Sequence, residues 1–332
     1  MPEVSIIVPV HKVEDYLEEC LDSILKQDFR DFELIAVDDR SPDGSAAILD
    51  RYRQLDPRVR VLSLPENVGP GPARNIGLDV ASGRYVWFFD GDDTIAPGSL
   101  GKLTARAVET DADVVLFGWV RAHEDGRIVP GINTDLLAAA PGVFSADDYP
   151  DVLRIFHVPW NKLIRRDFLE RTELRFAPGI YEDVSFTFPL LVAAGRITAL
   201  PDAFVNYRQR GSAATATAGE RHLEVLPQWG LALDRVERMG LATGRVRSEL
   251  FSRMVRHCAN TLLRTERIPV QAHGEYLRRL RDLYRKHHPR RRYRTRSFAE
   301  RVQHRIIGLG SLPLLKLHWL AVTLPRSRDR DR

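Results

Sequence analysis

Three carboxylates fall within four residues at Asp90-Gly91-Asp92-Asp93. Like charges this close repel one another. A hard divalent cation with oxygen ligands, Mg²⁺ or Mn²⁺, relieves the repulsion and is commonly shared with substrate phosphates. Asp90 and Asp92 are therefore candidate metal ligands; a solvated acidic turn capping a helix near Pro97 explains the same residues without an ion. A second acidic pair, Asp38-Asp39, also follows an apolar run. A carboxylate there can accept the imide N–H of uracil, or can cap a helix, as Ser41 and Asp43 also could. Arg74 lies in the stretch Asn67-x-Gly69-x-x-x-Ala73-Arg74-Asn75-x-Gly77. Its guanidinium fork suits a phosphate or a base carbonyl, and the glycines let a ligand approach the backbone. Glu182-Asp183 follow Pro178-Gly179, where a helix start would stabilise them through its dipole. One such carboxylate can take a proton from a hydroxyl while its neighbour orients it. Helix capping is the plainer explanation of that pair.

The elements that must hold these groups alternate. Val4–Val10, Glu33–Val37, Val59–Leu64, Tyr85–Phe89 and Asp113–Trp119 read as strands. The helical pattern over Glu14–Gln27, a helix after Ser41-Pro42-Asp43-Gly44, and a helix over Ala73–Ala81 lie between them. Such alternation predicts an α/β fold with a mainly parallel, doubly wound sheet, whose ligands bind at the carboxyl ends of the strands. Both acidic clusters sit at such ends. Glu124-Asp125-Gly126 reads as a hairpin turn, and Glu220–Lys286 as helical throughout. The expected division is a domain over 1–215, a helical domain over 216–288 and a tail over 289–332.

The 332 residues carry a net charge of +4, unevenly spread. From Tyr276 to Arg332 there are 17 Lys/Arg against 4 Asp/Glu, and in the rest 32 against 41, so an acidic body bears a basic tail. The arginine-rich run Arg290–Arg296 precedes an apolar segment, Ile306–Leu324, broken by Gly308, Gly310, Pro313, Lys316 and His318. That segment fits a helix lying in an anionic membrane interface, or one packing on the protein's own helices or on a second subunit. Two distant cysteines, Cys20 and Cys258, and a start without a basic, apolar leader predict a reducing, cytoplasmic setting.

In order and approximate spacing the four clusters resemble family 2 glycosyltransferases of the GT-A fold. The likeness runs from Val4 to about Ser212. It is carried by Val4-Ser5-Ile6-Ile7-Val8-Pro9-Val10, Asp31-Phe32-Glu33-Leu34-Ile35-Ala36-Val37-Asp38-Asp39, Ala73-Arg74-Asn75-x-Gly77, Asp90-x-Asp92-Asp93, Trp160-Asn161-Lys162 and Glu182-Asp183. The resemblance implies an inverting, metal-dependent transfer from a nucleotide-sugar, UDP-linked, to an acceptor hydroxyl. It implies that Pro9 and Asp39 line the base pocket and that Arg74 contacts base or diphosphate. Asp90 would hold ribose or metal, and Asp92 the metal. Asp183 would be the base, oriented by Glu182, with Trp160 and Asn161 bordering sugar and acceptor. Tyr207-Arg208-x-Arg210-x-Ser212 looks like a segment that closes over the diphosphate through Arg208, Arg210 and Ser212. His11-Lys12 stand where the family usually has Tyr-Asn, and Arg40 where it usually has Gly, so the nucleotide is less defined than the fold. The stretches Val37–Ser45 and Leu64–Gly69 resemble the glycosyltransferase module of actinobacterial teichoic-acid-type enzymes. That likeness implies a polymer or lipid-linked acceptor, with no nucleic acid as partner. A catalytically weak scaffold that binds a nucleotide-sugar or polymer for a partner transferase is the alternative reading.

Overall fold

The strand β1 (Val4–Val10) is apolar apart from Ser5, whose hydroxyl is buried on Glu33, because both of its faces are covered. Its even-numbered members, Val4, Ile6, Val8 and Val10, join one buried cluster, and Ile7 joins the other. In the computed structural model, which describes residues 1–209, 218–263, 267–289 and 297–323, this strand pairs in parallel on both sides. After α1 (Glu14–Leu25), β2 (Phe32–Asp38) lies against β1; after α2 (Ser45–Leu55), β3 (Val59–Ser63) lies against β2. The helix α3 (Pro70–Asp79) then crosses back, and β4 (Tyr85–Phe88) takes the other side of β1.

Beyond β4 the sheet becomes mixed. A two-residue strand β5 (Thr94–Ile95) and α4 (Ser99–Thr110) lead to the long β6 (Val114–His123), which turns through Glu124-Asp125-Gly126 into β7 (Ile128–Pro130). After α5 (Thr134–Ala138) come β8 (Lys162–Arg165), α6 (Arg166–Thr172), α7 (Glu182–Ala193) and β9 (Ile197–Gln209). The strand order is β3-β2-β1-β4-β8-β6-β9-β5, with β7 on the edge of β6. β8 runs antiparallel to both β4 and β6, whereas β6 and β9 are parallel. The chain is thus an α/β protein with a helical C-terminal region: α8 (Val225–Met239), α9 (Gly244–Leu263), α10 (His273–His287), α11 (Phe298–Leu309) and α12 (Leu312–Thr323).

One face of the sheet is covered by α1, α2 and α4 through Leu17, Leu21, Ile24, Leu49, Leu100 and Leu103. The other is covered by α3 and α7, and this cluster runs on without a break into Trp229, Leu250, Phe251, Met254 and Tyr276 of the C-terminal helices. Among the described residues no helix is long and apolar enough to cross a membrane. The broken apolar segment forms parts of two helices separated at Gly310, where φ is +72°. α12 buries Leu315 but leaves Leu309 before it and its own Leu314, Leu317, Leu320 and Val322 exposed. Arg290, Arg291, Arg292, Arg294 and Arg296 lie outside the described residues.

Candidate active site

The carboxyl ends of β1, β2 and β4 open into one cleft of about 390 Å³. Pro9, Asp39, Arg74, Asp90, Asp92, Trp160, Glu182 and Asp183 all line it, drawn from six separate stretches of the chain. Asn161 stands behind the wall, Arg208 lies alongside on β9, and Arg210 and Ser212 fall outside the described residues.

The helix α3 begins three residues earlier than its apolar pattern predicts, at Pro70. Gly69 takes φ +86°, and Asp39 receives the backbone N–H of Val68 at 2.7 Å and of Gly69 at 2.9 Å on its two carboxylate oxygens. Asp39 thereby fixes the loop that starts the helix. Gly71 lets that helix lie against the chain before α7: a Cβ there would sit 2.6 Å from the Ala177 carbonyl. This close approach brings Arg74 to the buried centre of the cleft. Its Nη2 donates to Asp90 Oδ1 and its Nη1 to Glu182 Oε1, both at 2.7 Å. Burial works against the charge of Arg74, but the two carboxylates more than offset it and hold the guanidinium firmly protonated.

Asp93 is buried beneath Asp90 and Asp92. Burial first, then the charges of Asp92 and Asp90, push its carboxyl well above the ordinary range, and its Oδ2 accepts no hydrogen bond. The acidic groups at the floor of the cleft offer only oxygen donors, which fits Mg²⁺ or Mn²⁺. Among the described residues, the grouping of His, Asp and Glu close enough to hold an ion as it stands is elsewhere: Asp234, Glu237 and His287, where Lys286 already holds both oxygens of Asp234 at 2.8 Å. An ion at Asp90 and Asp92 would need substrate oxygens to complete its shell. Arg208 borders this floor; its backbone N–H reaches Asp93 Oδ1 at 2.8 Å and its Nε the Asp92 carbonyl at 2.9 Å.

Glu182 and Asp183 open α7 behind a left-handed Tyr181, φ +63°. The helical region holds this strained turn: Tyr181 Oη pairs with His222 Nδ1 at 2.7 Å, Glu224 accepts the Ile180 N–H at 2.7 Å, and Gln228 donates to the Pro178 carbonyl at 2.9 Å. Glu182 is engaged by Arg74, whereas the Oδ1 of Asp183 is buried without a hydrogen-bond partner. Burial, and then the charge of Glu182, push the Asp183 carboxyl up to about 8, against the opposing pull of Arg74 and Lys162. A carboxylate in that range is a stronger proton acceptor than an exposed one.

The opposite wall is aromatic. Trp160 packs edge-on against Trp119 at 5.3 Å and at a tilt against Tyr207 at 5.2 Å, and its carbonyl accepts from Trp87 Nε1 at 2.8 Å. Both ends of the Asn161 amide are in use: Nδ2 donates to the Phe156 carbonyl at 2.8 Å, and Oδ1 accepts from Lys162 Nζ at 2.5 Å. Lys162 is wholly buried, also donates to the Val158 carbonyl, and is pulled down to about 7 by burial. Sequence reasoning missed His157, whose Nε2 lies 3.7 Å from Asp183 Oδ2. Its place two residues before Pro159-Trp160-Asn161-Lys162 was the available signal. His11 and Asn67 meet at the rim by Asp39, both within 3.1 Å of its carbonyl. Arg40 and Lys12, the departures noted above, have φ of +52° and +56°, a backbone form that favours the residues they replace, Gly and Asn.

The model of the family "Glycosyl transferase family 2" matches residues 5–172. An uncharacterized glycosyltransferase of Bacillus subtilis, EpsJ, is 32% identical over 271 residues, covering 79% of this chain and 78% of that protein. A putative teichuronic acid biosynthesis glycosyltransferase of the same organism, TuaG, is 38% identical over 147 residues, 44% of this chain and 56% of that one. Residues 1–349 of S. aureus TarS, solved in complex with UDP-GlcNAc, superpose with a TM-score of 0.81 at 23% identity, covering 97% of this chain and 91% of that chain. A Pyrobaculum calidifontis mannosyltransferase in complex with GDP-Man and Mn²⁺ gives 0.54 at 19% identity, covering 97% of this chain and 80% of that one.

Proposed function

The chain belongs to glycosyl transferase family 2 and is a glycosyltransferase, and we propose that it works by inversion, with a divalent metal, moving a sugar from a UDP-linked donor to an acceptor hydroxyl of a cell-envelope polymer. The observation that carries the reading is the division of labour between adjacent acids: Glu182 is tied to Arg74, while Asp183 lines the cleft without an ion pair to Arg74 and with its Oδ1 buried and unpartnered.

In this proposal Pro9 and Asp39, with His11 and Asn67 beside them, hold the base. Asp92 and Asp90 would hold Mg²⁺ or Mn²⁺, which would supply charge neutralisation to the diphosphate leaving group. Arg74 keeps Asp90 and Glu182 in place. Arg208, with Arg210 and Ser212, closes on the diphosphate. Trp160 walls the sugar and acceptor side, braced by Asn161. Asp183 accepts the acceptor's O–H proton as the oxygen bonds to the anomeric carbon, and the carbon–phosphate oxygen bond breaks with its electron pair going to the diphosphate. Support for UDP and for an envelope polymer comes from TarS, solved with UDP-GlcNAc and with UDP, and from the naming of TuaG. Support for a metal comes from the oxygen-only floor and from the Mn²⁺ of the mannosyltransferase.

We also propose that the enzyme works against an anionic membrane face, where lipid-linked acceptors are presented. The outward leucines of α12 and the basic tail support this. The test of the central reading is release of nucleotide from a panel of UDP-, GDP- and CDP-sugars, with Mn²⁺ and with excess EDTA. It is followed by proton NMR of the anomeric centre in the product. UDP-sugar turnover that needs metal, with an α-linked donor giving a β-linked product, is expected. Full turnover in EDTA, or retention at the anomeric carbon, overturns it.

A further inference from the structure

The loop that carries His157 is fastened at three points. Thr187 Oγ1, one turn beyond Asp183 on α7, donates to the His157 carbonyl at 2.8 Å. Lys162 Nζ holds the Val158 carbonyl, and Asn161 holds that of Phe156. The imidazole is stacked on Phe188 with centroids 5.7 Å apart and lies 5.0 Å from the His257 ring. It has little freedom except along the line to Asp183, 3.7 Å away.

That line joins His157 Nε2 to Asp183 Oδ2. The other polar atom of each group, Asp183 Oδ1 and His157 Nδ1, is buried without a hydrogen-bond partner. Such atoms are costly in a protein interior, and catalytic hydrogen bonds that are long in a free enzyme tighten when substrate fills the site. We propose that His157 is a positioning residue for the base: its imidazole N–H closes onto the Asp183 carboxylate when donor and acceptor bind, and fixes the carboxylate toward the acceptor hydroxyl. This rests on the assignment of Asp183 as the base.

The charge state suits the task. Burial first, then His257 and Arg253 of α9 and Lys162 of β8, hold the His157 imidazole well below its ordinary range, so it is neutral. Asp183 is faced by Glu182 on its own helix, Arg74 of α3, Lys162 of β8 and this ring. A neutral donor orients the carboxylate without the drop in basicity that a cation would impose.

The test is the pH dependence of kcat/KM for His157→Phe and His157→Gln beside the parent and Asp183→Asn. Gln carries an N–H close to the Nε2 position. His157→Phe should lower kcat by ~10–100-fold, the scale of a hydrogen bond to a charged group. It should leave the donor KM unchanged and move the acidic limb to higher pH, and His157→Gln should restore most of both. Equal losses in Phe and Gln with an unmoved limb mean a packing role and overturn the inference. Should the Phe variant fail to fold, Thr187→Val, which only frees the His157 carbonyl, should also lower kcat at constant donor KM; no effect there counts against the proposal. If Asp183→Asn itself retains turnover, the assignment of the base fails; if it is inactive while His157→Phe matches the parent, only the role of His157 fails.

Discussion

Arg74 and Glu182 stand 108 residues apart in the chain and 2.7 Å apart in space, and the same guanidinium holds Asp90 at the same distance. The pair ties the floor of the cleft to the first turn of α7. With its side chain 4% exposed, Arg74 is a buried cation between two anions. Arg74→Met should destabilise the protein by ~3–5 kcal/mol, because it strands two partly buried carboxylates. It should also abolish turnover at temperatures where the variant is still folded. Denaturant unfolding and activity on the same sample check this; a fully stable, active variant would remove the bridge from both roles.

Asp92→Asn should leave the unfolding midpoint within experimental error and remove most metal-dependent donor binding and turnover, a term of several kcal/mol in order of magnitude. Calorimetric titration of UDP with and without Mn²⁺ reads the first effect, and nucleotide release the second. Unchanged metal dependence would exclude Asp92 as a ligand.

Asp183→Asn should cost ~10²–10⁴-fold in kcat while donor affinity survives. Because the parent carboxyl is pushed up to about 8 and must be ionised to accept a proton, kcat/KM should rise with pH and level off above about pH 8. The sign is fixed: protonation at lower pH removes the acceptor. A profile flat from pH 6 to 9 would contradict a base with this environment.

Leu317→Glu/Leu320→Glu changes two residues that are 64% and 46% exposed on α12, so folding should be unaffected. The parent chain should co-sediment with anionic vesicles at low salt, and the double variant should bind at least ~10-fold less, from the loss of two leucine side chains at ~1.5–3 kcal/mol each. If the parent stays in the supernatant, the membrane proposal fails, and light scattering then shows whether the face joins two copies of the chain.

The sequence made the strand ends legible, because Asp38-Asp39 and Asp90-Asp92 stop apolar runs whose length and composition already mark buried parallel strands. Arg74 and Glu182-Asp183 were visible as groups but not as a bridge, since nothing local records a contact across 108 residues. The early start of α3 was hidden for a similar reason: the carboxylate that fixes its leading loop comes from Asp39, thirty residues upstream of Gly69. β5 and β8, two and four residues long, are too short to show a period and owe their conformation to their partners. The positions of Lys162 and His157 depend on buried hydrogen bonds and ring contacts that close only in the folded chain.

The strained turn at Tyr181 has a consequence for biosynthesis. A ribosome delivers β1 to β4 and α3, the parts that gather Asp39, Arg74, Asp90 and Asp92, well before it delivers His222, Glu224 and Gln228. Until those three arrive, nothing in the emerged chain fastens Tyr181, Ile180 and Pro178 from the far side. A nascent chain can therefore assemble a donor pocket while its base remains unset. Arrested chains ending near residue 215 should bind nucleotide yet release no sugar.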